Sequence, residues 1–431
     1  MTGVTIALGV FALYALVAGR LDRWSVSAPI VLLSSGIVLG EGGLKVMHIT
    51  AGAESVRVVA ELTLALLLFT DASTIRVREA GGDVKLPGRL LGIGLPLTIA
   101  LGTLIARLIL PVSWAEAALI ASILAPTDAA LGLPVVTNTA VPARIRRALN
   151  IESGLNDGIA TPVVVFFLAV VSAEAAHQRW ILGGVREIVV AVAFGVALGA
   201  GSGWLAARAR RAGWTTPLSE ALVVLSVALI AYEGAVAMQA NGFVSAFVAG
   251  IAFGAAAGAA FHGATEFTEE IGLFASFAVW VICGAVLVGP VLRQGVHLRA
   301  VVYAVLSLTV IRIAPVALAV VGMRLRPVTV AFLGWFGPRG LASVVFTLLA
   351  YEGLHGGPQA TAIAEVAAWT ILLSVFAHGL SAGPLAARYG RSIAAAPAGA
   401  PELEDAAQPP IRRRSLHERP RPRQQVHQGK Q

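Results

Sequence analysis

Charge is scarce in this 431-residue chain: Asp, Glu, Lys and Arg make up 13% of it, against 57% hydrophobic residues. A soluble protein of this size carries about a quarter charged residues, and the mean hydropathy here is +0.80. The deficit excludes an ordinary soluble enzyme and points to a polytopic membrane protein. Cysteine is nearly absent too. The single Cys283 lies in an apolar run, so no disulfide forms within the chain and a metal–thiolate site is not expected. HExxH does not occur, which removes the usual zinc-hydrolase signature. No repeated carbonyl-filter loop occurs either, as a cation channel would require. The N-terminus has no basic stretch ahead of its first apolar run, so that run reads as a spanning helix and not a cleaved signal.

What is present is a series of apolar runs. At roughly 20 apolar residues per span, thirteen are expected, near 3–19, 26–44, 54–72, 88–111, 114–137, 146–173, 183–207, 217–237, 240–260, 268–290, 299–323, 328–351 and 360–386. The third is the most polar at its start, where Glu54, Arg57 and Glu61 recur. The formal net charge of +8 does not call for nucleic acid, because the arginines sit between apolar runs and in the tail. With the N-terminus outside, one set of connections holds Arg20, Arg23, Arg76, Arg78, Lys85, Arg89, Arg144, Arg146, Arg147, Arg208, Arg210, Arg211, Arg324 and Arg326. The opposite set holds only Lys45, Arg179, Arg186, Arg293 and Arg299. The positive-inside rule then places the C-terminus in the cytoplasm. One connection, 261–268, contains no Lys or Arg although it belongs to the basic side. The organisation expected is a membrane domain over 1–390 and a disordered basic cytoplasmic tail over 391–431, with RRR at 412–414.

Two runs are interrupted near their middles, one by Ala125-Pro126-Thr127-Asp128 with Leu133-Pro134, the other by Gly334-Trp335-Phe336-Gly337-Pro338-Arg339-Gly340. Proline removes a backbone donor and glycine makes unwound backbone inexpensive. Paired interruptions of this kind in two halves of a chain mark a transporter's binding site. Asp128 suits the positive helix ends at such a crossing and Arg339 the negative ends.

The stretch 152–158 reads Glu-Ser-Gly-Leu-Asn-Asp-Gly. An intramembrane carboxylate is costly, so a function is the default reading for Asp128, Glu152 and Asp157. Ser153 and Asp157 are four apart and share one helix face, offering hard oxygen ligands to an alkali cation; Glu152 and Asn156 share another. Glu152 needs its own partner. Arg312, in the apolar run SLTVIRIAPVALAVV, is one candidate and Arg339 the other. Asp71 closes the third run in LLLFTDAS, where it reads equally as a residue at the membrane edge or as a site residue. His378, well inside the last run, reads as a packing histidine more readily than as a proton relay.

These residues resemble the monovalent cation:proton antiporters, in the branch of the electroneutral sodium/proton exchangers with NhaP-type prokaryotic members. The resemblance covers about residues 4–390 and is carried by APTD at 125–128, ESGLNDG at 152–158, ANGFVSAFVAG at 240–250, FGPRG at 336–340 and LSVFAHGLSAGPLA at 373–386. It implies an all-α fold of 13 transmembrane helices with inverted repeats, two crossed broken helices, a mobile core bundle, a dimerisation bundle and a homodimer in the inner membrane. It also implies that Asp157 binds the cation and the proton, and that Asn156 marks the electroneutral branch. Thr127, Asp128 and Ser153 resemble the residues around the ion, so the alkali cation is expected at Asp157, Asp128, Ser153 and Thr127. Glu152 and Arg312 resemble a buried ion pair, and Arg339 a helix-crossing arginine. Asp71 stands where many prokaryotic members have a glutamate in LLFEGG, and the text here differs. Desolvation favours the neutral carboxyl group, so proton and cation are alternative ways of neutralising Asp157. The expected function is electroneutral exchange of Na⁺ for H⁺ by alternating access, with K⁺/H⁺ exchange as the alternative and a channel further behind. No cofactor is called for beyond the transported ions, and the chain is not expected to be an enzyme.

Overall fold

The computed structural model describes residues 3–49, 52–74, 84–128, 131–176, 181–397 and 399–404. Among these, every regular element is a helix. In chain order they are α1 (Gly3–Arg23), α2 (Ala28–Leu39), α3 (Glu54–Ser73), α4 (Lys85–Ile109), α5 (Trp114–Ile123) and the one-turn α6 (Leu133–Val136). They continue with α7 (Ala143–Ala176), α8 (Ile181–Arg211), α9 (Pro217–Ala237), α10 (Gly242–Ala257), α11 (Ala259–Gln294) and α12 (Leu298–Ala319). The last are α13 (Pro327–Trp335), α14 (Leu341–Gly353) and α15 (Pro358–Ala394). With α5–α6 and α13–α14 each counted as one interrupted span, the thirteen expected segments are all helical. Eight of the helices are long and apolar enough to cross a membrane. The 20-residue α3 is not among them, because it carries Glu54, Arg57, Glu61 and Asp71. Its polar start is nevertheless regular α-helix.

Two long helices widen locally to a π turn, α4 over Leu90–Gly94 and α11 over Cys283–Val288. Each wide turn ends two residues before a proline, Pro96 and Pro290. Proline cannot donate to the carbonyl one turn back, and the wider turn absorbs the mismatch without breaking the helix.

Packing between several helices relies on missing side chains. Gly195, Gly199 and Gly203 bring α8 onto the backbone of α10 at Ser245, Ala249 and Phe253. Gly250 and Gly254 bring the other side of α10 onto the Phe69 and Ser73 carbonyls of α3. Gly36 and Gly40 do the same for α2 against the π turn of α11. An added Cβ at any of these positions would lie inside a backbone atom's contact radius. Apolar surface gives no advantage over lipid tails inside a bilayer, so such close backbone approach is what holds the helices together.

The arginines of the basic connections cap helix ends. Arg89 Nη1 donates to the Val321 carbonyl at 2.6 Å, just past the end of α12. Arg146 donates to the carbonyls of Val141 at 3.0 Å and Val136 at 3.3 Å, holding the end of α6. Both supply donors to carbonyls left over at a helix C-terminus. The connection 261–268, which has no Lys or Arg, is no loop: α11 runs through it from Ala259. Arg210 donates to the Ala260 carbonyl and lies over the Phe261 ring at 5.6 Å, so the neighbouring connection supplies the positive charge there.

The C-terminal boundary needs a correction. Helix α15 runs to Ala394, beyond residue 390, and residues 401–403 form a short 3₁₀ turn packed onto the bundle. Glu402 is completely buried. Its Oε1 accepts from the backbone N–H of Arg326, the N-cap of α13, at 2.7 Å and from the Thr329 hydroxyl at 2.8 Å. Tyr389 of α15 stacks on Phe332 of α13 at 4.0 Å beside it. Arg144, at the start of α7, donates to the Pro401 carbonyl and pairs with Glu404 at 3.0 Å. The strap 399–404 thus joins the starts of α7 and α13. Residues 405–431, with the arginines 412–414, lie outside the described residues. Replacing Glu402 by Ala leaves the Arg326 N–H without that acceptor, while the Thr329 hydroxyl keeps Tyr389 at 3.1 Å, and should lower the unfolding free energy by about 1–3 kcal/mol. Thermal melting of the detergent-solubilised protein reads this, with Glu404→Ala, at a half-exposed pair, as the small-effect control.

Candidate cation-binding site at a helix crossing

The two interrupted spans cross where both are unwound. Helix α5 ends at Ile123, and Pro126, Thr127 and Asp128 follow without regular secondary structure. Helix α13 ends at Trp335 in a tight turn, the Gly337 N–H donating to the Trp335 carbonyl at 2.8 Å with Phe336 at φ −80°, ψ 64°. This is an inverse γ-turn. Helix α14 then begins at Leu341.

Each unwound strand serves the helix end of the other. The Asp128 N–H donates to the Pro338 carbonyl at 2.8 Å, and Asp128 Oδ2 accepts from the Leu341 N–H, at the start of α14, at 3.1 Å. Arg339 is fully buried and donates to the carbonyls of Ala125 at 2.7 Å, Pro126 at 3.4 Å and Ser307 at 3.2 Å. Ser343 of α14 donates to the Ile123 carbonyl at 2.8 Å. The carbonyl end of α5 therefore meets a guanidinium and the amide end of α14 meets a carboxylate, the arrangement that opposes each macrodipole. Close approach requires glycine here. A side chain at Gly340 would occupy the space of Asp128, and one at Gly337 the space of the Arg312 guanidinium.

Helix α7 runs beside the crossing and presents three polar residues, Ser153, Asn156 and Asp157. Asn156 Nδ2 donates to Thr127 Oγ1 at 2.6 Å, and the Ser153 hydroxyl lies 3.3 Å from the same oxygen. The face pairing read from spacing is therefore corrected. Ser153 and Asn156, three apart, share Thr127, while Glu152 points elsewhere. Asn156 and Thr127 are both buried at 1% exposure, so the link between α7 and the unwound strand is out of water. Asp157 comes next. Its residue is partly accessible, yet Oδ1 is buried and meets no hydrogen-bond partner among the described residues. Asn156 Oδ1 is in the same position. The carboxylates of Asp128 and Asp71 act electrostatically on Asp157. Asp71 of α3 leans on Gly154 of α7, its Cβ 3.8 Å from where a side chain there would begin. The structure thus brings Asp71, Thr127, Asp128, Ser153, Asn156 and Asp157 to one place.

Glu152 takes no part in that cluster. Its Oε1 lies 2.6 Å from Arg312 Nη1, with the two side chains 3% and 2% exposed. Arg339, the other candidate partner, is occupied by carbonyls. Helix α12 is itself broken at Thr309 (φ −117°, ψ −93°), which releases the Ser307 carbonyl to Arg339 and begins the turn carrying Arg312. Spacing gave no sign of this break, since no proline or glycine stands there. Two further residues were not singled out from sequence, Ser343 and Ser374. A serine in an otherwise apolar buried helix is the signal that would have found them.

The comparisons with known proteins follow this geometry. A family profile described as "Sodium/hydrogen exchanger, transmembrane" matches residues 7–388. The chain belongs to that family. Within it, the K(+)/H(+) antiporter NhaP2 of Shewanella baltica is 21% identical over 376 residues, 86% of this chain and 64% of that protein. The K(+)/H(+) antiporter NhaP of Alkalimonas amylolytica is 24% identical over 391 residues, 88% and 66%. The Na(+)/H(+) antiporter NhaS2 of Synechocystis is 27% identical over 250 residues, 58% and 44%. This exchanger-family chain spans just under two thirds of the length of the NhaP2 relative. Among solved structures, the sodium proton antiporter MjNhaP1 of Methanocaldococcus jannaschii superposes with a TM-score of 0.71 at 20% identity, covering 90% of this chain and all of the other. That likeness establishes the fold, an all-helical antiporter-like bundle in a multi-pass membrane protein.

The Glu152–Arg312 pair allows a direct test of its role. Removing one partner strands a buried charge, so Glu152→Leu alone should destabilise by about 3–5 kcal/mol, and Glu152→Leu with Arg312→Met should recover most of it. Melting temperatures of the two variants decide the matter, and a double variant no better than the single one would contradict the assignment.

Proposed function

We propose that this chain is a secondary antiporter that exchanges a monovalent cation, Na⁺ first, for H⁺ without net charge movement, with Asp157 as the group that binds either. One observation carries the reading: a carboxylate on a partly accessible stretch of α7 has a buried oxygen with no hydrogen-bond donor among the described residues. Such an oxygen is left to a proton or a cation. Around it stand the oxygens an alkali ion takes in place of water, from Asp128, Ser153 and Thr127, with the Asn156 carbonyl oxygen also unpaired. Asp71 stands close enough to act on the same ion through its charge.

The mechanism follows from the cost of a bare charge in a dry site. An ionised, empty Asp157 beside two other carboxylates is the least favourable state, while a proton or a cation each relieves it. If only the relieved site crosses between the two sides, one ion is exchanged for the other with no further coupling device. Asn156 holds Thr127 through a neutral amide and adds no second titrating group, so one proton moves per cation. Alternation is proposed as movement of the crossing and α7 relative to the remaining helices. A homodimer in the inner membrane with the N-terminus outside belongs to the same reading.

A K⁺/H⁺ exchanger is the second reading, favoured by the names of the Shewanella and Alkalimonas relatives. Proton flux in proteoliposomes, driven in turn by Na⁺, Li⁺ and K⁺ gradients, separates the two. Asp157→Asn should abolish cation-driven proton flux in a protein that still folds, and the rate for the unsubstituted protein should not change with imposed membrane potential. Flux surviving in Asp157→Asn removes the site assignment; a steep dependence on potential removes electroneutrality.

A further inference from the structure

Beyond the residues around Asp157, α15 carries a polar pair that borders the unwound strand. Ser374 and His378 are both completely buried. The Arg339 backbone N–H donates to Ser374 Oγ at 2.6 Å. Ser374 Oγ lies 3.2 Å from His378 Nδ1. The imidazole packs against the Trp335 indole at 5.0 Å between centroids, and the indole N–H donates to the Ser381 hydroxyl at 3.0 Å. Trp335 is the last residue of α13 and Arg339 the last but one before α14. The pair therefore touches the strand 336–340 at both of its ends.

The role of each atom follows from donor and acceptor counting. Arg339 N–H can reach no helical carbonyl, because its segment is unwound, and an unpaired buried N–H is costly. Ser374 Oγ accepts from it and has one hydrogen left to donate. His378 Nδ1 lies 3.2 Å from the Ser374 hydroxyl and 3.1 Å from the Ser374 carbonyl, which can only accept, so Nδ1 carries the hydrogen and donates. The Ser374 oxygen is then held between the imidazole and the Arg339 N–H, with a lone pair toward the N–H. The charged groups whose fields reach the ring are the Arg339 and Arg312 guanidiniums.

We infer that His378 is a positioning residue for exchange: acting through Ser374, it fixes the backbone of Arg339 and so holds the helix crossing that faces Asp157. It works through that contact and carries no transported proton. The inference rests on the reading that exchange takes place at Asp157, and the test therefore includes a measurement independent of transport.

Four variants are compared in full-length protein: Ser374→Ala, His378→Leu, His378→Asn and the Ser374→Ala/His378→Leu double. Asparagine places an amide near the position of Nδ1, whose N–H can keep the contact with Ser374. Hydrogen–deuterium exchange of the peptide spanning 335–341 should rise by about tenfold in Ser374→Ala and His378→Leu and stay near the unsubstituted level in His378→Asn. In proteoliposomes the same two variants should lose about tenfold in maximal rate with the apparent KM for the cation unchanged. The double variant should be no slower than the slower single one, because both remove one interaction. His378→Asn should keep the rate within about threefold and leave the pH profile in place. A His378→Asn variant as slow or as rapidly exchanging as His378→Leu overturns the inference, as do additive losses in the double variant. A shifted pH profile in His378→Asn overturns it in favour of a proton carrier. Absence of cation-driven flux in the unsubstituted protein fails the functional reading, while the deuterium measurement still decides the positioning role. Should His378→Leu not fold, Ser374→Ala against Ser374→Thr, which keeps the hydroxyl, gives the same decision.

Discussion

Two helices that stop inside an apolar bundle leave backbone groups with no water to bond. Carbonyls at the end of α5 and amides at the start of α14 must find partners in each other's strand or the chain cannot fold that way. Arg339 and Asp128 supply them, one guanidinium spanning three carbonyls and one carboxylate capping the amide end. Their charges have the sign that each helix end requires. The remaining features of this region are arranged around that exchange of caps. Gly337 and Gly340 admit the close approach, Ser343 and Ser374 finish the unpaired backbone groups, and the break at Thr309 frees the Ser307 carbonyl.

The polar residues of α7 divide by what they touch. Glu152 is consumed by Arg312, in surroundings too dry for either charge to stand alone. Asn156 and Ser153 are turned to Thr127, which ties α7 to the unwound strand. Asp157, on a partly accessible stretch of the helix, keeps a buried oxygen with no donor among the described residues, as do Asn156 at Oδ1 and Glu152 at Oε2.

Much of this was legible in the sequence, and the reasons are physical. Helices in lipid must be apolar for about 20 residues, so thirteen segments could be counted from composition. The interruptions were visible because unwinding at depth needs Pro and Gly, and the charges because carboxylates there are rare. Other features left no mark. The break in α12 has no proline or glycine, and the pairing of Ser153 with Asn156 follows the approach of Thr127 and not the helix period. Glu402 stood in a stretch whose composition reads as a solvated tail. Its burial depends on three distant residues, Arg326, Thr329 and Tyr389, meeting at one end of the bundle. The basic connections set the expected orientation, yet several of their arginines are also helix caps, a role that depends on which helix end lies nearby.

The glycine contacts described for α8, α10 and α3, and for α2 with α11, have a mechanical side. Where backbone lies directly on backbone, sliding by even part of a residue drives a carbonyl into a neighbouring chain. Such seams behave as interlocked teeth and cannot shear. Seams lined by leucine, valine and phenylalanine side chains can re-pack rotamer by rotamer. The molecule is therefore divided in advance into blocks, α3 with α8 and α10 in one, α2 with α11 in another. Any rearrangement that carries an ion across has to run along the smoother boundaries between them.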